Sequence, residues 1–203
     1  NMDAVDKLGL LKLDVLGLST LDIIQDTFTL IRDRHNKIIS LDKIPLDDEK
    51  TFDLICDGKT TQIFQLETQL GKQWSKSLKP RNIDEIADLI SLIRPGILDN
   101  NLADEYRLVK TGVQGTSYIH NDLKPILDDT FGILCYQEQQ IAICKKFANM
   151  SLQEADLYRA MIGKKKIEEL KKKGPEFILK CINNGYTEYV ATQIWSWLDK
   201  AGG

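Results

Sequence analysis

From Ile119 to Lys200 the apolar residues recur at helical spacing almost without a break, and this long array constrains the fold more than any other feature of the chain. Side chains three and four residues apart share one face of a helix. The spacing predicts helices over 119–127, 136–149, 152–162, 166–183 and 188–200. Ser151-Leu-Gln-Glu154 has the form of a capping box, in which the Ser and Glu side chains satisfy each other's exposed backbone donors, so a helix starts there. Val190, Ile194 and Trp197 form the core stripe of the last helix, and Asn184-Gly185 supplies the turn before it. In the first half, Leu21, Ile24, Phe28 and Ile31 predict a helix over 20–34, and Asp47 reads as the N-cap of a short helix through Phe52 and Ile55 that Gly58 ends. Ile83, Ile86, Ile90 and Ile93 mark another, preceded by Pro80 and closed by Pro95-Gly96. Residues 97–118 carry Gly112 and Gly115 and no clean period, and read as a flexible loop with one weak turn of helix.

Two segments break the helical pattern. Gly9-Leu-Leu-Lys-Leu-Asp-Val-Leu-Gly17 reads as a strand, with Lys12 and Asp14 side by side on one face and Leu11, Leu13 and Val15 on the other. Two charges on an otherwise apolar strand mark either a solvated edge or a site. Thr61-Gln-Ile-Phe-Gln-Leu66 alternates polar and apolar residues and reads as a short β element. The expected fold class is therefore mainly α within α+β: one strand and a short β element, then a helical array. A lone strand and a run of helices do not make a self-contained layered fold, which implies a piece of something larger.

At 203 residues, 42% hydrophobic and 28% charged, the chain can bury a sizeable core and is not of disordered or fibrous composition. Its longest apolar runs fall far short of the ~20 residues a membrane helix needs. With no signal-peptide pattern at its start, a cytoplasmic location and no membrane partner are the default expectation. Cys56, Cys135, Cys144 and Cys181 lack any CxxC pair and lie away from His35 and His120, so they read as reduced, packed thiols rather than a zinc site. A net charge of −3 argues against a protein that coats nucleic acid over its whole surface. Local charge differs: Lys145, Lys146, Arg159, Lys164–Lys166 and Lys171–Lys173 crowd the last third, as either a solvated helix face or a phosphate-facing patch.

Six blocks carry a resemblance. They are the segment 9–18, Pro45-Leu-Asp-Asp48, Thr60-Thr-Gln-Ile-Phe-Gln-Leu-Glu67, Ile93-Arg-Pro-Gly96, Phe131-Gly-Ile-Leu-Cys-Tyr-Gln-Glu-Gln139 and Ala155-Asp-Leu-Tyr-Arg-Ala-Met-Ile-Gly-Lys-Lys-Lys166. In this order they resemble the C-family replicative DNA polymerases of bacteria and phages, the alpha-subunit family of DNA polymerase III. The resemblance implies that residues 1–18 are the end of a palm and 19–203 the N-terminal part of the fingers of a larger enzyme.

What it implies for chemistry is template-directed addition of deoxynucleotides, with Mg²⁺ ions neutralising the transferring phosphate. Asp14 matches the third palm carboxylate, a metal ligand, and Lys12 matches a lysine that reaches the triphosphate. Arg159 with Lys164 and Lys165 matches the fingers motif that grips the incoming nucleotide. Gln65, Glu67, Arg94, Tyr136, Gln137 and Glu138 fall near the nucleotide or the palm–fingers seam. The sequence departs from the pattern at Ala160, where a second basic residue is usual, and at Ile97, where a second proline is usual. Nothing before Asp14 supplies the family's other two aspartates, so the chain alone is expected to be inactive. The implied partners are primer-template DNA, dNTP, the remaining palm, thumb and fingers, and other replisome subunits. The competing reading is a non-catalytic helical module of a split polymerase gene that binds nucleic acid or a partner.

Overall fold

The computed structural model describes residues 15–94, 101–163 and 167–201, together with Val5, Leu8–Leu10, Leu13 and Leu98. The chain divides into two compact units, Asn1–Pro45 and Leu46–Gly203. Among the described residues no helix is long and apolar enough to cross a membrane.

The first unit is built on helix α1, Ser19–His35. Asp22 in its first turn and Arg32, Arg34 and His35 in its last suit the helix dipole, and Asn36 closes it in the left-handed conformation by donating its N–H to the Arg32 carbonyl. The predicted stripe is present but thinly covered: Ile24, Phe28 and Ile31 are half-buried and Leu21 is exposed.

The expected strand over 9–17 is not found, and among the described residues there is no strand at all. Gly9 has φ +64°, incompatible with an extended run, and Leu13 and Val15 are 77% and 90% exposed rather than packed on an apolar face. Extended backbone, as at Leu18, becomes a strand only when a neighbour completes the hydrogen-bond ladder, and no described residue does so. The second β element fails for a different reason. Residues 60–66 form two successive turns, closed by Ile63 N–H to the Thr60 carbonyl (3.1 Å) and Leu66 N–H to the Ile63 carbonyl (3.0 Å), with Gln62 and Gln65 at positive φ. Leu66 is the buried anchor, and its carbonyl accepts the Thr60 hydroxyl at 2.6 Å. The described residues form a helical fold, not the expected α+β one.

The second unit has two cores. The first is formed by α2 (Glu49–Cys56), α3 (Gln69–Leu78), α4 (Ile83–Leu92) and α5 (Leu102–Lys110), around Ile55, Leu66, Leu89, Leu92 and Tyr106. Side chains start three of these helices: Asp48, rather than the expected Asp47, accepts the Thr51 N–H, Thr68 that of Gly71 and Asn82 that of Glu85. Helix α5 lies inside the expected loop. Leu102, Ala103 and Tyr106 are buried at i, i+1 and i+4, a spacing too short to stand out beside the glycines that follow.

The second core is formed by α6 (Lys124–Leu127), α7 (Gln137–Ala148), α8 (Leu152–Gly163), α9 (Ile167–Asn183) and α10 (Glu188–Ala201), around Ile143, Phe147, Phe177, Ile194 and Leu198. The expected capping box opens α8, with Ser151 N–H to Glu154 Oε2 at 3.0 Å and Glu154 N–H to Ser151 Oγ at 3.2 Å. Helix α9 runs through Pro175. It packs tightly on α10, where a Cβ on Gly174 would sit 2.6 Å from Trp195 Nε1 and Phe177 lies 5.4 Å from the Trp195 ring. All four cysteines are free, and burial pushes the Cys144 and Cys181 thiols up to about 12.

Candidate functional site

The N-terminus of α7 is where the predicted site residues converge. Tyr136 is the N-cap: its N–H and that of Cys135 both donate to Gln139 Oε1 at 3.0 Å, and Gln139 Nε2 donates to the Thr130 hydroxyl at 2.8 Å. The Tyr136 hydroxyl donates to Asp88 Oδ1 on α4, while Tyr106 from α5 donates to Oδ2 at 2.6 Å. Asp88 is 4% exposed. Burial, then the hydrogen bond each donates to Asp88 and the charge of that carboxylate, raise both phenols above the ordinary tyrosine range. Cys135 is pushed up to about 12, chiefly by burial and then by the same carboxylate, against the opposing field of Arg94 beyond the end of α4.

One residue further on, the exposed Gln137 carboxamide accepts Arg159 Nη1 at 2.9 Å, and Arg159 Nε donates to Asp156 Oδ1 at 2.8 Å. The Arg159 side chain is 27% exposed. Held at two nitrogens, a guanidinium keeps a fixed plane, the geometry in which it best meets phosphate oxygens. Glu138 is exposed beside Gln137.

Other predicted residues are not brought to this place. Gln65 and Glu67 are exposed on the turns before α3, and among the described residues no hydrogen bond or ion pair joins them to Arg159. Lys12, Asp14, Lys164 and Lys165 lie outside the described residues. The lysines that surround them in sequence are partly neutralised: Lys146 pairs with Asp122 at 3.3 Å, Lys180 with Glu154 at 2.8 Å, and Lys173 with Glu176 while lying 5.9 Å from the Tyr158 ring centre. Lys173 is thus not a purely solvated cation.

Among the described residues no group of three His, Cys, Asp or Glu side chains is placed to hold a metal ion. One carboxylate does not organise a two-ion centre. The described residues therefore do not by themselves fit the expected Mg²⁺ pair, and Asp14, the expected ligand, lies outside them.

Asp88, Thr130 and Gln139 belong to this hydrogen-bond network without having been legible in the sequence as its members. Asp88 left one signal, a charge four residues before the buried Leu92 and next to the buried Leu89, where a core-facing helix position should be apolar. Together with Asn82, Asp84, Tyr106, Asp129 and Tyr136 it lines a cleft of about 650 Å³.

The family model for the bacterial DNA polymerase III alpha subunit finger domain matches residues 20–185. DNA polymerase III subunit alpha of Aquifex aeolicus is 37% identical over 200 residues, covering 98% of this chain and 17% of that protein. The same subunit of Halalkalibacterium halodurans is 36% identical over 194 residues (96% of this chain, 17% of the relative), and that of Pseudomonas aeruginosa 38% over 210 residues (99% and 18%). The chain spans less than a fifth of the length of these curated relatives. A family match over most of its length, with relatives at this identity, means that the chain belongs to the finger-domain family of bacterial DNA polymerase III alpha subunits.

Proposed function

We propose that this chain forms the palm-to-fingers part of a DNA-directed DNA polymerase and that its share of the reaction is to bind and orient the incoming dNTP opposite primer-template DNA. Residues 1–18 are assigned to the end of the palm and 19–203 to the fingers; a finger-domain match beginning at residue 20 supports that boundary. The observation that carries the reading is Arg159 held between Asp156 and Gln137. Asp156 offsets part of the guanidinium charge until a triphosphate arrives, and the fixed plane lowers the ordering cost of the contact. An interaction that strengthens as charge moves onto the leaving pyrophosphate raises turnover as well as affinity. Lys12, Lys164 and Lys165 add positive potential for the same phosphates, and Asp14 is the chain's one contribution to a Mg²⁺ site shared with the remaining palm.

Two measurements test this. The 203-residue chain alone is expected to give no template-dependent incorporation with Mg²⁺. In the complete polymerase, Asp14→Asn loses turnover while primer-template affinity stays unchanged, because a carboxamide keeps the shape but is a poor magnesium ligand. Incorporation by the isolated chain, or an Asp14→Asn enzyme that turns over at wild-type rate, would refute the assignment.

A further inference from the structure

Two hydrogen-bonded stretches, joined by the backbone between Tyr136 and Gln137, connect the first core to Arg159. Asp88 on α4 accepts the Tyr136 hydroxyl; Tyr136 caps α7; Gln137, the first residue of α7, accepts Arg159 on α8; and Asp156 completes the series. The Asp88–Tyr136, Gln137–Arg159 and Asp156–Arg159 links are charge-assisted hydrogen bonds, and Asp88 itself is almost wholly out of water, where an unmet polar group is costly. A buried carboxylate at an otherwise apolar helix position needs a reason beyond packing, since an apolar side chain there would avoid desolvation altogether.

We propose that Asp88 is a positioning residue for the nucleotide grip: by accepting the Tyr136 hydroxyl it fixes the start of α7, and with it the Gln137 carboxamide that holds the Arg159 guanidinium. The phosphate-facing part of this rests on the reading of Arg159 given above; the mechanical part does not. Asp88 touches neither nucleotide nor DNA in this scheme. Its effect passes through Tyr136 alone, because Tyr106, its second donor, lies on α5 with its ring edge-on to Phe131 at 5.0 Å and has no share in capping α7.

That asymmetry supplies the test. In the ¹⁵N-labelled 203-residue chain, the Arg159 Nη–Hη resonances, recorded at low temperature, should move towards the position of a free arginine in Tyr136→Phe and in Asp88→Leu, and stay in place in Tyr106→Phe. If Tyr136→Phe fails to fold, Asp88→Leu, which is of similar size and has no acceptor, carries the same comparison. Resonances unmoved in Asp88→Leu, or moved equally by the two tyrosine variants, would overturn the proposal and leave Asp88 a purely structural residue.

In the complete polymerase Tyr136→Phe should raise the dNTP KM about two- to tenfold, the scale of one lost hydrogen bond, and should do nothing further in an Arg159→Ala background. Equal losses in both backgrounds would contradict action through Arg159. If Arg159→Ala left KM unchanged while the resonances moved as expected, the nucleotide reading would fail and the positioning of Arg159 by Asp88 would stand.

Discussion

Glu154 joins two structures through one carboxylate. Oε2 closes the capping box of α8 and Oε1 accepts Lys180 of α9 at 2.8 Å. The Lys180 hydrogen bond first, and then the Ser151 donors, hold its carboxyl at about 2, below the ordinary 4.5. A folded-state value below the unfolded one means the stabilisation is fully present above about 4.5 and is lost as the pH falls through about 2. Glu154→Gln should therefore lower the unfolding midpoint at pH 7, and the gap to wild type should close between those two values. An undiminished gap at the acid end would show that the charge is not what Glu154 contributes. Ser151 and Glu154 were readable in sequence because a capping box is local, with donor and acceptor three residues apart. Asp88 was not, because what makes it useful is two hydroxyls 18 and 48 residues away.

At the scale of elements, the segment before α3 shows how a local pattern loses to packing. Thr61–Leu66 alternates as a strand should, yet Phe64 is 53% exposed and Leu66 is the residue driven inside. Turns that bring Leu66 inwards also bring its backbone against α3, where a Cβ on Gly71 would sit 2.7 Å from the Leu66 carbonyl oxygen. Backbone cannot yield as a flexible side chain does. Gly71→Ala should cost about 1–3 kcal/mol, the usual scale of overpacking, read as a lower denaturant midpoint at unchanged m-value. A neutral or stabilising effect would mean that these turns shift freely. The long helices of the second core were legible because three or more apolar residues repeat on one face. Helix α5 was not, since its nine residues make only about two and a half turns and part of its meaning lies in the Lys110–Glu85 pair it makes with α4 at 2.8 Å.

On the scale of the whole molecule, the helical array was readable from apolar spacing and the family from the order of motif blocks, whereas the strand expected over 9–17 is not found among the described residues. A strand is a property of two chains of backbone, and one segment cannot declare its partner. The candidate site was readable in part: Tyr136, Gln137 and Arg159 do come together, and Gln65 and Glu67 do not join them. Convergence at the start of α7 is a tertiary fact, set where the two cores meet at residues 131–137. The central claim is that Arg159 grips the nucleotide specifically rather than as one charge among many. The measurement is single-turnover primer extension over a dNTP series at several salt concentrations, comparing the complete polymerase with its Arg159→Ala and Lys172→Gln variants. Arg159→Ala should weaken nucleotide binding by about 1.5–3 kcal/mol, roughly 10- to 150-fold and the scale of a charge-assisted hydrogen bond, while Lys172→Gln leaves it unchanged and at most flattens the salt dependence of DNA binding. Equal losses in the two variants would contradict the account, since they would mean a diffuse basic surface with no dedicated triphosphate contact at Arg159.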